Sequence, residues 1–198
     1  MKTVIVDYGA GNLTSVRNAF ASLGVETEVS ADAQAIGAAD RVVFPGVGAA
    51  KSAMANLTDR GLVEPVLKAI GSGHPFLGIC LGMQILFEHS EEDGGVDLLG
   101  AFKGRVRRFP DTPGFKVPEI GWNQVAAREG AAGFADGDEF YFVHSYCADV
   151  CSETVGVTNY AGIDFTAMVR RGSVWACQFH PEKSGRVGLN LLKEWMSC

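Results

Sequence analysis

A chain of 198 residues, 47% hydrophobic and 20% charged, is long enough to bury one full core and is ordinary in composition for a soluble globular domain. Its net charge of −6 argues against nucleic acid as a main partner, and Gly, Asp or Arg interrupts every apolar run before it reaches transmembrane length. The five cysteines are odd in number and widely scattered, which fits free thiols in the cytoplasm better than a disulfide framework.

The N-terminus reaches Asp7 too soon for a signal peptide, and residues 3–7 read as a first strand. Residues 12–23 read as a helix, with apolar side chains at Leu13, Val16, Phe20 and Leu23. Strands are expected at 25–29 and 41–44, helical segments at 49–57 and 62–70, and another strand at 75–79. Alternation of this kind predicts an α/β fold, a mostly parallel twisted sheet flanked by helices. Beyond Asp97 the pattern changes. Residues 101–108, 138–143, 154–160, 166–170 and 174–179 read as strands joined by turns, an antiparallel extension, and 183–196 as a closing amphipathic helix. With no linker, low-complexity segment or repeat, residues 1–198 read as one domain.

Open α/β sheets gather chemistry at the carboxyl ends of their strands, and three glycine-containing motifs fall there. In Gly78-Ile79-Cys80-Leu81-Gly82 a cysteine stands between two glycines, with an apolar strand before it and a helix-like segment after it. That is the layout of a nucleophile elbow: a tight strand-to-helix turn that pushes the nucleophile to its tip, with a helix N-terminus behind it favouring thiolate. A buried structural cysteine is the alternative. Far downstream, His180 and Glu182 flank Pro181 just after an apolar run, where strand alternation would put both side chains on one face. An imidazole can take the thiol proton and later deliver one to a leaving group, while a carboxylate orients the ring. Pro45-Gly46-Val47-Gly48 reads either as a simple turn or as a loop whose bare backbone N–H groups approach a developing oxyanion. The opening motif, Asp7-Tyr8-Gly9-Ala10-Gly11-Asn12, lacks G-x-G-x-x-G spacing and no Walker lysine follows, which argues against nucleotide binding.

His144, Cys147 and Cys151 lack a fourth ligand at zinc-site spacing, so no metal is expected. Lys103, Arg105, Arg107 and Arg108 form a basic stretch, with the first three on one face of a strand, either solvated or a docking surface for an acidic partner. Trp122, in Gly121-Trp122-Asn123, reads as part of a turn, as core or as an interface anchor.

With these residues in place, the chain resembles the class I (triad) glutamine amidotransferases. Within them it is similar to the branch that forms the glutaminase subunit of imidazole glycerol phosphate synthase, in histidine biosynthesis. The elbow, continued by Met83-Gln84, and the string Gln178-Phe179-His180-Pro181-Glu182-Lys183-Ser184 carry the superfamily likeness. The opening motif, Gly121-Trp122-Asn123 and Lys183-Ser184 carry the narrower one, and His144-Ser145-Tyr146 matches between them. The resemblance implies that Cys80 attacks the glutamine side-chain amide to give a glutamyl thioester, with His180 moving protons and Glu182 orienting it. Backbone amides of Leu81 and of Val47 or Gly48 would form the oxyanion hole, and Gly46, Gln84, Glu92, Ser145 and Tyr146 would hold the substrate. Ammonia would pass to a (β/α)8-barrel cyclase, a heterodimer partner facing Asn12, Trp122, Tyr141 and Lys183, which forms imidazole glycerol phosphate and a carboxamide ribotide. No cofactor is implied.

Two positions depart from the family pattern: Glu119 stands where histidine is common, and Ala50-Lys51 where a phenylalanine is frequent. Two other functions compete: a glutaminase feeding a different acceptor, such as a surface-sugar amidating enzyme, and a catalytically silent regulatory subunit.

Overall fold

The computed structural model describes residues 1–198. The first half alternates as expected: β1 (Thr3–Val6), α1 (Leu13–Ser22), β2 (Thr27–Ser30), α2 (Ala33–Gly37), β3 (Arg41–Gly46), α3 (Ala50–Asp59), α4 (Val63–Gly71), β4 (Phe76–Cys80) and α5 (Leu81–Gln84). Two short strands, β5 (His89–Ser90) and β6 (Val96–Asp97), lead into β7 (Arg105–Arg108), β8 (Glu119–Ala127), β9 (Asp138–His144), β10 (Tyr146–Ala148), β11 (Thr154–Tyr160), β12 (Ile163–Arg171) and β13 (Val174–Cys177). Helix α6 (Gly185–Trp195) closes the chain.

Nine strands form the main sheet in the order β2-β1-β3-β4-β13-β12-β11-β8-β9. The first five are parallel and the last four run antiparallel, so the sheet is mixed. A parallel strand covered on both faces must be apolar throughout, and β1, β4 and β13 are buried at every residue. Alternate residues feed two cores: Val4 and Val6 belong to one cluster of 25 buried residues, Ile5 to another of 24. Helices α2, α3 and α4 cover the first face, with Ile36, Leu57 and Val66 buried there, while Phe20 of α1 and Trp195 of α6 cover the second. A smaller sheet, β10-β7-β5-β6, lies to one side. No helix is long and apolar enough to cross a membrane.

Local chemistry explains where the elements begin. Asn12 caps α1 by accepting from Ser15 N at 3.2 Å, and Asp32 caps α2 through Gln34 N and Ala35 N. That second helix is absent from the sequence reading because one buried residue in five gives no periodicity.

The larger correction concerns Gly121-Trp122-Asn123, which lies inside the nine-residue strand β8 and not in a turn. Its outward residues Ile120 and Trp122 are apolar and exposed, and Gly121 and Asn123 alternate with them, which hides the usual in–out pattern. The expected strand at 101–108 shrinks to Arg105–Arg108, because Gly104 takes φ +114 just before it. Lys103 therefore lies outside the strand. The basic stretch meets acidic partners within the chain: Lys103 with Glu88, Arg107 with Asp149 and Arg108 with Asp111.

Candidate active site

Strand β4 ends on Cys80, whose backbone adopts φ +55, ψ −113, a conformation that non-glycine residues rarely hold. The flanking glycines are needed for packing more than for turning. A Cβ on Gly82 would overlap the carbonyl oxygen of Phe44, and one on Gly78 would lie 2.8 Å from the Gly82 oxygen. Backbone thus stacks on backbone between β3, β4 and α5, and the cysteine is the side chain that this crossing projects. The helix behind it is one turn long, so the field at the sulfur comes from the first-turn N–H groups and not from a long macrodipole.

His180 follows β13, which lies beside β4 in the parallel sheet. It does not meet Glu182 by strand alternation. Pro181–Lys183 forms a 3-10 turn that brings the carboxylate back under the ring, with Oε1 2.7 Å from Nδ1. Both side chains are almost fully buried. The His180 backbone is clamped as well: its N–H donates to the Tyr141 carbonyl at 2.9 Å, and its carbonyl accepts from Ser184 Oγ at 2.7 Å. With Nδ1 tied to a carboxylate, Nε2 is left to act. It has no oxygen or nitrogen partner, and the polar group beside it is the Cys80 thiol.

Burial alone would lower the His180 pKa. Hydrogen bonding to Cys80 and Glu182, with their negative charge, outweighs burial and raises it to about 9. His180 therefore adds stability that is fully present below its ordinary value of 6.5 and is lost as pH rises through about 9. Urea unfolding at a series of pH values is expected to show that loss, and a flatter profile in His180→Asn.

A cavity of about 320 Å³ opens over this group. Val47, Gly48, Leu81, Gln84, Glu92, Ser145 and Tyr146 line it together with Cys80 and His180. Gly46 does not. It is buried at the end of β3, where a side chain would strike the Tyr8 hydroxyl and the Gly82 nitrogen, so it backs the loop from behind. Glu92 also serves a helix. Its Oε2 accepts from Ala50 N at 2.6 Å and caps α3, whose own N-cap, Ala49, has no side-chain acceptor. Burial raises the Glu92 pKa against that bond. The Ala50-Lys51 departure leaves α3 intact, with Ala50 buried in the core and Lys51 in solvent.

Three contributors gain no catalytic or substrate role from sequence, and one of them, His144, is weighed there only as a metal ligand. Gln178 donates to the Cys80 sulfur at 3.7 Å and accepts from Gln84 Nε2 at 2.9 Å, from the segment after β13 and two residues before His180. Pro118 and His144 also line the cavity. His144 spends its nitrogens on the Tyr146 carbonyl and on Glu119, while the Cys151 sulfur meets Thr154, so two of the three residues weighed as metal ligands point to separate partners.

Of the expected partner-facing residues, Trp122 is 55% exposed and packs edge-on against Tyr141, with ring centroids 6.2 Å apart. Lys183 Nζ lies 5.8 Å from the Tyr141 ring centroid, which makes one contiguous patch. Asn12 is exposed but uses its side-chain oxygen to cap α1.

A thiol, a tethered imidazole and a carboxylate over a small cavity can carry out acyl transfer. The family profile described as "Glutamine amidotransferase class-I" matches residues 4–196. The chain belongs to this family. This amidotransferase is 47% identical over 194 residues to the imidazole glycerol phosphate synthase subunit HisH of Streptococcus sanguinis (strain SK36), covering 97% of this chain and 94% of that protein. It is 46% identical to the protein of the same name from Methanothermobacter thermautotrophicus (strain Delta H), covering 97% of this chain and 96% of that protein. Among solved structures, a glutamine amidotransferase superposes with a TM-score of 0.75 at 19% identity, covering 98% of this chain and 97% of that one. PurLQS from Thermotoga maritima superposes with a TM-score of 0.73 at 17% identity, covering 99% and 97%. At such low identity these structures share the amidotransferase fold and say nothing of the acceptor.

Proposed function

We propose that this amidotransferase is the glutaminase subunit of imidazole glycerol phosphate synthase. Near-half identity over almost the whole length of proteins bearing that name carries the reading.

In the mechanism that the geometry supports, the Cys80 thiol gives its proton to His180 and the sulfur adds to the glutamine carboxamide carbon. The oxyanion that forms is met by the backbone amide of Leu81 and that of Val47 or Gly48. His180 delivers the proton that lets ammonia leave, which produces a glutamyl thioester, and then takes a proton from the attacking water so that glutamate is released. Glu182 holds the ring through Nδ1 and balances its charge. Gln84, Glu92, Ser145 and Tyr146 line the substrate end of the cavity, and the Glu92 carboxylate suits an α-ammonium group. The ammonia passes to a (β/α)8-barrel cyclase held as a heterodimer and is used there to form imidazole glycerol phosphate. Five free cysteines accord with work in the cytoplasm.

Trp122, Tyr141 and Lys183 are the anchors of that contact. Trp122→Ala and Lys183→Ala are each expected to weaken the cyclase complex by about 1–2 kcal/mol, roughly 5- to 30-fold in Kd by calorimetry. Unchanged affinity in both variants would place the interface elsewhere. The function itself is tested by complementation of a histidine auxotroph that lacks the glutaminase subunit. Growth is expected, and failure despite soluble expression would sink the assignment in favour of another ammonia acceptor.

A further inference from the structure

A second acid–imidazole pair reaches the cavity through His144, which lines it, with Glu119 behind, and the reaction above does not use it. Glu119 opens β8 and His144 closes β9, directly opposite each other in the antiparallel register. Their side chains are 4% and 2% exposed, and His144 Nε2 lies 3.0 Å from Glu119 Oε2, in an ion-pair contact and not an aligned hydrogen bond. Neither atom has another polar partner.

The remaining polar atoms of the pair fix the proton count. His144 Nδ1 lies 2.8 Å from the Tyr146 carbonyl oxygen, so Nδ1 carries a hydrogen and donates it. A neutral ring with its hydrogen on Nδ1 has a bare lone pair at Nε2. That lone pair would face a carboxylate oxygen in a dry interior, acceptor against acceptor. One more proton removes the conflict. Four neighbours say where it resides. Asn123 Nδ2 donates to Glu119 Oε1 at 2.8 Å, which favours the ionised carboxylate. The rings of Phe109, Phe165 and Phe142 stand 5.0, 5.2 and 5.7 Å from the imidazole, a setting that favours a cation.

We propose that Glu119 keeps His144 as a buried imidazolium, and that the pair positions the Ser145–Tyr146 wall of the glutamine cavity from the strand that carries Trp122. The positioning half rests on the glutaminase reading, and the proton does not. The Tyr146 carbonyl receives hydrogen bonds from both His144 and Gln84, the latter at 2.8 Å. Gln84 in turn reaches Gln178, which contacts the Cys80 sulfur. A charged donor at Nδ1 holds that carbonyl more firmly than a neutral one. Glu119 acts through His144 and is therefore a positioning residue.

Glu119→Gln separates charge from shape. Its oxygen still accepts from Asn123 while its new amide donates to Nε2 of a neutral His144, so the contacts persist and only the charge pair is lost. The experiment is nitrogen-15 NMR of the whole chain; with four histidines, the His144 signal is assigned by its loss in His144→Gln. At the assay pH the wild type is expected to show imidazolium, and Glu119→Gln the neutral ring with hydrogen on Nδ1. In the cyclase complex, Glu119→Gln is expected to raise KM for glutamine about three- to tenfold with kcat changed less than about twofold. A neutral His144 in the wild type overturns the proposal even if no variant folds, and an unchanged KM after loss of the charge overturns the positioning role. The spectrum needs no turnover, so a wild-type complex without glutaminase activity counts against the function and not against the proton.

Discussion

Cys80→Ala is expected to abolish glutamine hydrolysis by the cyclase complex, lowering the rate by at least about 10⁴-fold, which corresponds to more than about 5 kcal/mol of barrier. No other group can replace the sulfur. Cys177, the next thiol in the core, is fully buried and points its Sγ at the Gly78 carbonyl, and burial, with the charges of Glu182 and Cys80, pushes its pKa well up. His180 and Glu182 without a nucleophile can at best activate water, a poor substitute for thioester formation. The variant is expected to fold, because alanine loses the contact to the His180 ring, a 3.7 Å contact to Gln178 and a long one to Val143, and no backbone hydrogen bond. Ammonium salts are expected to restore product formation by the Cys80→Ala complex, since the proposed function leaves the acceptor chemistry to the cyclase. Steady-state glutamate release and ammonia-dependent product formation, measured side by side, check both halves. Glutamate release at the wild-type rate from Cys80→Ala would remove the cysteine from the mechanism.

Gly82→Ala is the second large effect, on stability. The added carbon would occupy the position of the Phe44 carbonyl oxygen, in a central parallel strand fixed by both neighbours. Overpacking usually costs about 1–3 kcal/mol, and here the obstacle is backbone that cannot rotate away, so about 3 kcal/mol or more is expected. For a chain of this size that lowers Tm by roughly 6–12 °C. Any folded remainder should also lose glutaminase activity, because α5 would shift and carry the Leu81 amide with it. Calorimetry of Gly82→Ala beside Gly48→Ala makes the comparison, since a Cβ at Gly48 meets nothing within 4 Å and strains only the backbone at φ +92. Equal stability of Gly82→Ala and wild type would refute the packing account of the elbow.

Much of the site was legible because the residues that carry it are local. Cys80 between two glycines at a strand end, and His180 with Glu182 two positions on, are short-range patterns whose chemistry constrains their spacing. The glycines stand where side chains would strike backbone, as a tight elbow requires, but the carboxylate returns through a 3-10 turn and not along a strand. Long-range partners left no trace. Glu92 caps a helix 42 residues upstream, and Glu119 meets His144 only because β8 and β9 pair in one register. Strand β8 itself was hidden, since it carries exposed apolar residues at Ile120 and Trp122 with a glycine between them. An outward apolar face reads as noise in a sequence until a partner surface is considered. The parallel half of the fold was the easier part, because strands buried on both faces are apolar throughout and their crossovers are helical.

The central claim is that glutamine nitrogen, freed at Cys80, reaches an acceptor on a cyclase partner. Mixing the chain with an imidazole glycerol phosphate synthase cyclase subunit and its phosphoribulosyl substrate, supplying amide-labelled ¹⁵N-glutamine together with unlabelled ammonium, and weighing the imidazole product by mass spectrometry tests it directly. The label is expected to enter the imidazole ring in preference to the bulk ammonium, and Cys80→Ala to abolish its entry. Glutamate release without label in the product, or labelling that survives Cys80→Ala, would contradict it.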